Sequence, residues 1–383
     1  MDAYITDLAA FLPNDPVDND RMEGVLGMVG TSPSRTRAII LRKNRIRLRH
    51  YAIDPGTGRT THTNAQLTAE AVRRLSPREG FSVGEIECLA CGTSSPDQLM
   101  PGHGLMVHGE LRTPPCEVAS LAGICLSGIG ALKYAAMSVA LGLTRNAVAT
   151  GSELASTFLR SRLFPAASSE RAEEVEARPI LAFDADFLRW MLSDGAGAAF
   201  LSPRPEPGRL SLRIEWIDHL SFAGELDTCM YAGASKEPDG SLTGWREFAS
   251  IPEAAAANAF AVRQDVDLLN REVVPTAVDR TLARVAGRRG LSPDGIDWFL
   301  PHYSSDFFRE PLRERMASIG FAIPPERWFT NLSTCGNTGS ASIFIMLEEL
   351  YRSGRLRPGD RLLCMIPESG RFSMAYMLLA AVR

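Results

Sequence analysis

The stretch Glu117-Val-Ala-Ser-Leu-Ala-Gly-Ile-Cys125-Leu-Ser-Gly-Ile-Gly130 decides how the rest of this chain is read. An apolar run arrives, turns through small residues at one cysteine, and leaves as Ala131-Leu-Lys-Tyr-Ala-Ala-Met-Ser-Val-Ala-Leu141. The exit has the apolar spacing and the helix formers of an α-helix. Cys125 is therefore expected where a strand or loop becomes a helix. The unpaired N–H groups and partial positive charge of a helix start favour a thiolate there. Taken alone, the residue reads first as a small buried apolar side chain.

The 383 residues suffice for two or three sizeable cores, and 45% hydrophobic with 22% charged residues is the composition of a globular protein. A formal charge of −4 gives no basis for nucleic-acid binding. No apolar run approaches the roughly 18 residues of a membrane span. The opening Met1-Asp-Ala-Tyr-Ile-Thr-Asp is acidic where a secretory signal is basic, and the seven cysteines are odd in number and mostly in apolar surroundings. Both point to reduced thiols in a cytoplasmic setting. Cys88 and Cys91 form a C-x-x-C inside a strand-like run without a second pair at zinc spacing, so neither a metal nor a cofactor is expected.

The second half repeats the first at a displacement of 210 positions. Ile86-Glu-Cys-Leu-Ala-Cys-Gly-Thr-Ser-Ser95 falls on Ile296-Asp-Trp-Phe-Leu-Pro-His-Tyr-Ser-Ser305, and the Cys125 turn falls on Asn331-Leu-Ser-Thr-Cys335-Gly-Asn-Thr-Gly339. The apolar positions Val72, Leu75 and Phe81 fall on Leu282, Val285 and Leu291. A repeated strand–loop–strand–helix order predicts two similar α/β halves packed together. The proline-rich Ser202-Pro-Arg-Pro-Glu-Pro-Gly208 marks the boundary, giving halves 1–203 and 204–383. Further strands are expected over 3–13, 86–91 and 146–151, and helices over 64–75 and about 101–111. The charged 157–178 reads as an exposed loop with some helix.

In such sheets functional loops lie past the strand C-termini. His302 and the 335–339 loop would then face Cys125 across the junction. A cysteine at a helix start can attack a thioester and hold the acyl group. A neutral histidine N–H and an asparagine amide can both donate to one oxygen, each such donor being worth ~3 kcal/mol to a developing enolate. Cys125, His302 and Asn337 are thus equipped for carbon–carbon bond formation between two thioesters. A cysteine protease also uses Cys, His and Asn, but the duplication argues against one.

These residues carry a resemblance. Ala122-Gly-Ile-Cys125-Leu-Ser-Gly128, Asp297-Trp-Phe-Leu-Pro-His302, Gly336-Asn-Thr338 and Asp194-Gly-Ala-Gly-Ala198 occur in the order found in thiolase-fold condensing enzymes. The chain most resembles the β-ketoacyl-acyl-carrier-protein synthase III group. The resemblance implies an α/β thiolase-like fold of two pseudo-symmetric halves in an α-β-α-β-α layering, a homodimer, and substrates carried on coenzyme A or an acyl carrier protein. It implies that Cys125 takes the acyl group while His302 and Asn337 promote decarboxylation of a malonyl extender or enolisation of another thioester. It places an oxyanion hole at the N–H groups of Cys125 and Gly370, although Ser369 and Arg371 stand where relatives have further glycines. It matches Met100-Pro101 to a loop that reaches the partner's acyl pocket. Met100 supplies no base there, and with Pro101-Gly-His-Gly-Leu-Met-Val-His-Gly-Glu-Leu111 the region resembles ketosynthases of secondary metabolism, including those that build dialkylresorcinols. The basic segment Arg42, Lys43, Arg45, Arg47 and Arg49 reads as a solvated edge or as a landing site for phosphates or an acidic carrier, with Arg45 and Arg49 as the candidates. Transfer of the acyl group to an alcohol or amine, and non-decarboxylative joining of two chains, are the alternative reactions. Retention of Cys125, His302 and Asn337 argues against a non-catalytic subunit.

Overall fold

A computed structural model describes residues 2–29, 34, 37–161 and 187–383; most of the expected 157–178 loop lies outside the described residues. The strands that build its main sheet are β1 (Tyr4–Phe11), β2 (Cys88–Thr93), β3 (Glu117–Leu121), β4 (Ala147–Glu153), β5 (Gly195–Ser202), β6 (Ser211–Ser221), β7 (Trp298–Pro301), β8 (Arg361–Glu368) and β9 (Ser373–Val382). They pair in the order β3-β2-β4-β5-β1-β6-β9-β8-β7. From the centre outward, β1 is matched by β6, β5 by β9, β4 by β8 and β2 by β7. The pairing directions match as well. β2 and β4 are parallel, as are β7 and β8, whereas β4/β5, β5/β1, β8/β9 and β9/β6 are antiparallel. The two sides are joined by a short antiparallel ladder, Tyr4 with Arg213 and Ile5 with Leu212.

Side-chain alternation along these strands produces the layers. Successive strand residues point to opposite faces. Cys88 and Ala90 face one core while Leu89 and Cys91 face another. On the other side, Leu362, Cys364 and Ile366 face that same first core while Leu363 and Met365 face a third. The shared core is filled by helices α3 (Leu126–Ala140) and α6 (Ser342–Arg352), through residues such as Ile129, Leu132, Phe344 and Leu347. One outer face is covered by α1 (Asn64–Arg73) and α2 (His103–Leu111), the other by α4 (Val266–Pro275) and α5 (Arg309–Ser318). The result is helix, sheet, helix, sheet, helix, as the thiolase-like layering requires. Each fully buried Leu or Phe contributes about 1.5–3 kcal/mol. Strands buried on both faces therefore read as continuous apolar runs, which is the pattern in β2, β4 and β8.

The paired strands β2, β4, β7 and β8 run so that Thr93, Glu153, the loop at His302 and Glu368 lie at their C-terminal ends. That shared end of the sheet, where α3 also begins, positions the site.

Candidate active site

Cys125 is the N-cap residue of α3 and is buried. The turn into it needs Gly123, whose φ of +126° is a conformation that L side chains rarely adopt. No side chain caps this helix start, and the Ser127 N–H is taken by Gly123 O (2.7 Å). The resting sulfur is nevertheless not the thiolate that a bare helix start would favour. Burial raises its pKa well above the usual thiol value, and the nearby carboxylates of Glu368 and then Glu153 raise it further, against a small lowering by its own N–H.

His302 follows β7, and its N–H donates to Met365 O of β8 (2.8 Å). Burial pulls its pKa down to about 4, so the imidazole is neutral and each tautomer offers one N–H. Asn337 sits on the loop before α6. Its N–H donates to Met191 O (2.9 Å) and its carbonyl accepts from Ser193 N–H (2.9 Å), tying the loop to the segment before β5. Its side-chain Oδ1 accepts from Gly339 N–H (3.0 Å), which leaves the Nδ2 donors as the end offered to a ligand. Gly339 has φ +53°, and a Cβ there would lie 2.6 Å from Glu153 Cγ, so a larger residue would push the loop off its seat.

Beneath this loop lies Glu153, buried at the end of β4. It accepts from Ser94 N–H (3.1 Å), Ser94 Oγ–H (2.7 Å), Ser95 Oγ–H (2.7 Å) and Ser340 N–H (3.4 Å). Burial raises its pKa, and these donors partly offset the rise. Asp194, at the head of the Asp-Gly-Ala-Gly-Ala run, is a second buried clamp. Its carboxylate accepts from Ala52 N–H (2.7 Å), Ser156 N–H (2.8 Å) and Ser156 Oγ–H (2.5 Å), and burial raises it to about 6.

Cys125, His302, Asn337 and Glu153 all line one cavity of about 460 Å³. Much of its wall is apolar: Leu188, Met191 and Leu192 from the segment before β5, Leu269 and Val273 from α4, Ala277 from the helical segment that continues it, Phe308 just before α5 and Leu312 within it. Neutral donors and hydrocarbon walls lining one cavity suit an uncharged acyl chain beside a reacting carbonyl.

Other expected residues lie elsewhere. The Arg49 guanidinium is fully buried, donating to Trp190 O (2.5 Å) and Asn19 Oδ1 (2.6 Å), and burial lowers it to about 10. It braces the interior, so it corrects the expectation of a surface landing site at this position. Arg45 is exposed and ion-paired with Asp306 (3.2 Å), outside the cavity wall. Met100 is 80% exposed on its own chain, next to the cis peptide to Pro101, and does not line the cavity. The Gly370 N–H, expected as an oxyanion donor, is here bonded to the Glu368 carboxylate, so in this state it is not available to a substrate oxygen. Glu368 and Glu153 are what sequence reasoning missed. They are the last residues of the matched strands β8 and β4, but they stand 215 rather than 210 positions apart, so the repeat read from the sequence does not pair them.

Residues 287–376 match the family model described as 3-oxoacyl-[acyl-carrier-protein (ACP)] synthase III C terminal. The chain is 25% identical to the β-ketoacyl-[acyl-carrier-protein] synthase III of Bordetella petrii over 94% of this chain and 93% of that one. Among solved structures it resembles AbyA1, a tetronic acid condensing enzyme, at 22% identity and TM-score 0.73 over 99% of each chain. It also resembles Xanthomonas campestris OleA with bound lauric acid and lauroyl-CoA, at 18% identity and TM-score 0.74 over 99% of each chain. Those two likenesses establish the fold. With the C-terminal family match and a curated relative aligned over nearly its whole length, the chain is similar to the β-ketoacyl-[acyl-carrier-protein] synthase III group and shares the fold of those condensing enzymes.

Proposed function

We propose that this protein loads an acyl group from a thioester onto Cys125 and joins it to a second, malonyl- or β-ketoacyl-, thioester by a Claisen-type condensation. The observation that carries this reading is that Cys125, His302 and Asn337, from three separate segments, open onto a single apolar cavity. In the first step the Cys125 sulfur attacks the thioester carbon and the carrier thiol leaves. In the second, the extender loses carbon dioxide, or an α-proton that ends on the departing Cys125 sulfur, and the enolate oxygen forms against the His302 N–H and the Asn337 Nδ2–H. The enolate carbon then attacks the acyl carbonyl and Cys125 departs. Each donor aimed at the enolate contributes ~3 kcal/mol.

The carriers are coenzyme A or an acyl carrier protein, in keeping with the Bordetella petrii relative's name. Arg45 is the exposed cation offered for their phosphates, close to the His302 loop. A homodimer is supported by the sheet edge at β3 and by exposed Leu99, Met100 and Leu105 beside it, which would carry Met100 to the partner's acyl pocket. Division of the chain at 203/204 is supported by the matched strand order on either side of the β1/β6 junction. The seven free cysteines fit a reducing compartment.

The test is to offer a series of acyl thioesters, then a malonyl thioester, to wild type and His302→Ala. The variant should acylate normally and release neither carbon dioxide nor a β-ketoacyl product. A variant that condenses at the wild-type rate would remove His302 from the reaction.

A further inference from the structure

Glu368 is a buried carboxylate beside the nucleophile, and the scheme above gives it no task. It occupies the end of β8, as Glu153 occupies the end of β4, but the two are held differently. Glu153 is gripped by hydroxyls and amides of neighbouring loops. Glu368 accepts from the backbone of its own turn: the N–H groups of Gly370, Ser373 (3.0 Å) and, more weakly, Arg371 (3.5 Å). Its carboxylate lies against Ile124, the residue before Cys125, since a Cβ built on Gly370 would strike both Glu368 Oε1 and Ile124 Cδ1. Pro367 and Ser369, on either side of it, line the cavity with Cys125. Among the described residues, the ionisable groups coupled to this corner include Cys125, Glu153 and Cys229, with Asp265 and Lys236 acting on Cys229; the Arg371 guanidinium is turned away to Leu226 O (3.2 Å).

Two requirements of acyl loading meet at this carboxylate. Cys125 rests as a thiol and must lose its proton, and buried His302 is a poor base. The acyl carbonyl also needs a donor, and Gly370 N–H is bonded to Glu368. We propose that Glu368 takes the proton Cys125 loses on acylation and, once neutral, releases the Gly370 N–H to the acyl oxygen. This inference rests on the acyl-loading reading above. The S–H bond of Cys125 breaks and an O–H bond forms on Glu368. The thiolate attacks the thioester carbon, the oxygen that gains charge is met by the Cys125 and Gly370 N–H groups, and the carbon–sulfur bond to the carrier breaks. The departing carrier thiolate takes the proton from Glu368, which returns to the carboxylate and recaptures Gly370. A neutral carboxyl is a weaker acceptor than a carboxylate, so one proton transfer both makes the nucleophile and opens the oxyanion site. Burial raises Glu368 above the usual carboxylate range, against the pull of its three amide donors, and so suits it to hold a proton briefly.

The test follows two reactions of the same sulfur in wild type, Glu368→Gln and Glu368→Ala at about pH 7.5. Acylation by a thioester needs both a proton acceptor and an oxyanion donor, whereas alkylation by iodoacetamide draws on the equilibrium fraction of thiolate, whose proton goes to solvent, and forms no oxyanion. Both variants should acylate about 100-fold more slowly than wild type. Their alkylation should be unchanged or faster, because a negative charge next to the thiol has been removed. Acylation of Glu368→Gln at the wild-type rate would overturn the proposal. Faster acylation by Glu368→Ala would also overturn it, by making the carboxylate a mere block on Gly370. Parallel loss of both reactions would overturn it in favour of a structural role. A wild-type protein that no thioester acylates would overturn the acyl-loading reading itself, and this proposal with it.

Discussion

Replacing Asn337 with aspartate isolates the enolate-holding role with the least change of shape. In the native loop the side-chain oxygen accepts from Gly339 N–H (3.0 Å), so the amide nitrogen is the end available to a substrate. Aspartate keeps one oxygen for Gly339 and puts a second where the Nδ2–H donors were. The loop is held independently of this side chain by the bonds from Asn337 N–H to Met191 O and from Ser193 N–H to Asn337 O. The change therefore deletes a donor without removing the support beneath it. Losing one donor to a developing oxyanion costs about 3–4 kcal/mol, so condensation should fall about 10²–10³-fold. In the proposed scheme acylation draws on donors at Cys125 and Gly370, so it should stay within about threefold of wild type. Intact-protein mass spectrometry at timed intervals measures the first step, and a single turnover of preloaded acyl-enzyme with a malonyl thioester measures the second. An aspartic acid regains a donor when protonated, so the defect should be smaller at about pH 5.5 than at about pH 8. Condensation within about tenfold of wild type, or a matching loss of acylation, would refute the reasoning.

Three further outcomes follow from the same geometry. His302 is held at about 4, so its charged form is scarce above about pH 5, and condensation by preloaded acyl-enzyme should show no decline centred near the ordinary histidine value of about 6.5; a fall centred there contradicts the buried neutral imidazole. Ala277 is a small residue on the apolar wall, so Ala277→Phe should abolish acylation by the longest donors while sparing short ones, as read from competition between chain lengths. Arg49→Met should lower the denaturation midpoint, because each charged hydrogen bond it gives up is worth about 1.5–3 kcal/mol, and should leave the KM for the carrier unchanged; Arg45→Ala should do the reverse.

The layered fold was legible because its signals are local and repeated. The displacement that carries Cys88–Thr93 onto the β7 region joins two runs buried on both faces, and such runs differ from amphipathic surface strands even in a single sequence. The start of α3 at Leu126 could likewise be read from the change of apolar period after Cys125. What stayed hidden depends on contacts distant in sequence. Arg49 belongs to a basic run that looks solvated, yet its charge is met by the carbonyl of Trp190, 141 residues away. Glu368 drew no reading beside the expected glycine turn, and only the folded turn shows its carboxylate on the Gly370 N–H. The thiolate expected of Cys125 followed from the helix start alone, and burial with two facing carboxylates reversed it.

The central claim is that Cys125 carries the acyl group, and the most direct measurement is the mass and location of the adduct. The protein should be incubated with acyl thioesters of graded length, weighed intact and mapped by peptide. The expected result is one acyl mass per chain, on the peptide containing Cys125, and none on the Cys125→Ser variant. An unmodified protein across the whole donor series, or an acyl group that maps to one of the other six cysteines, would contradict it.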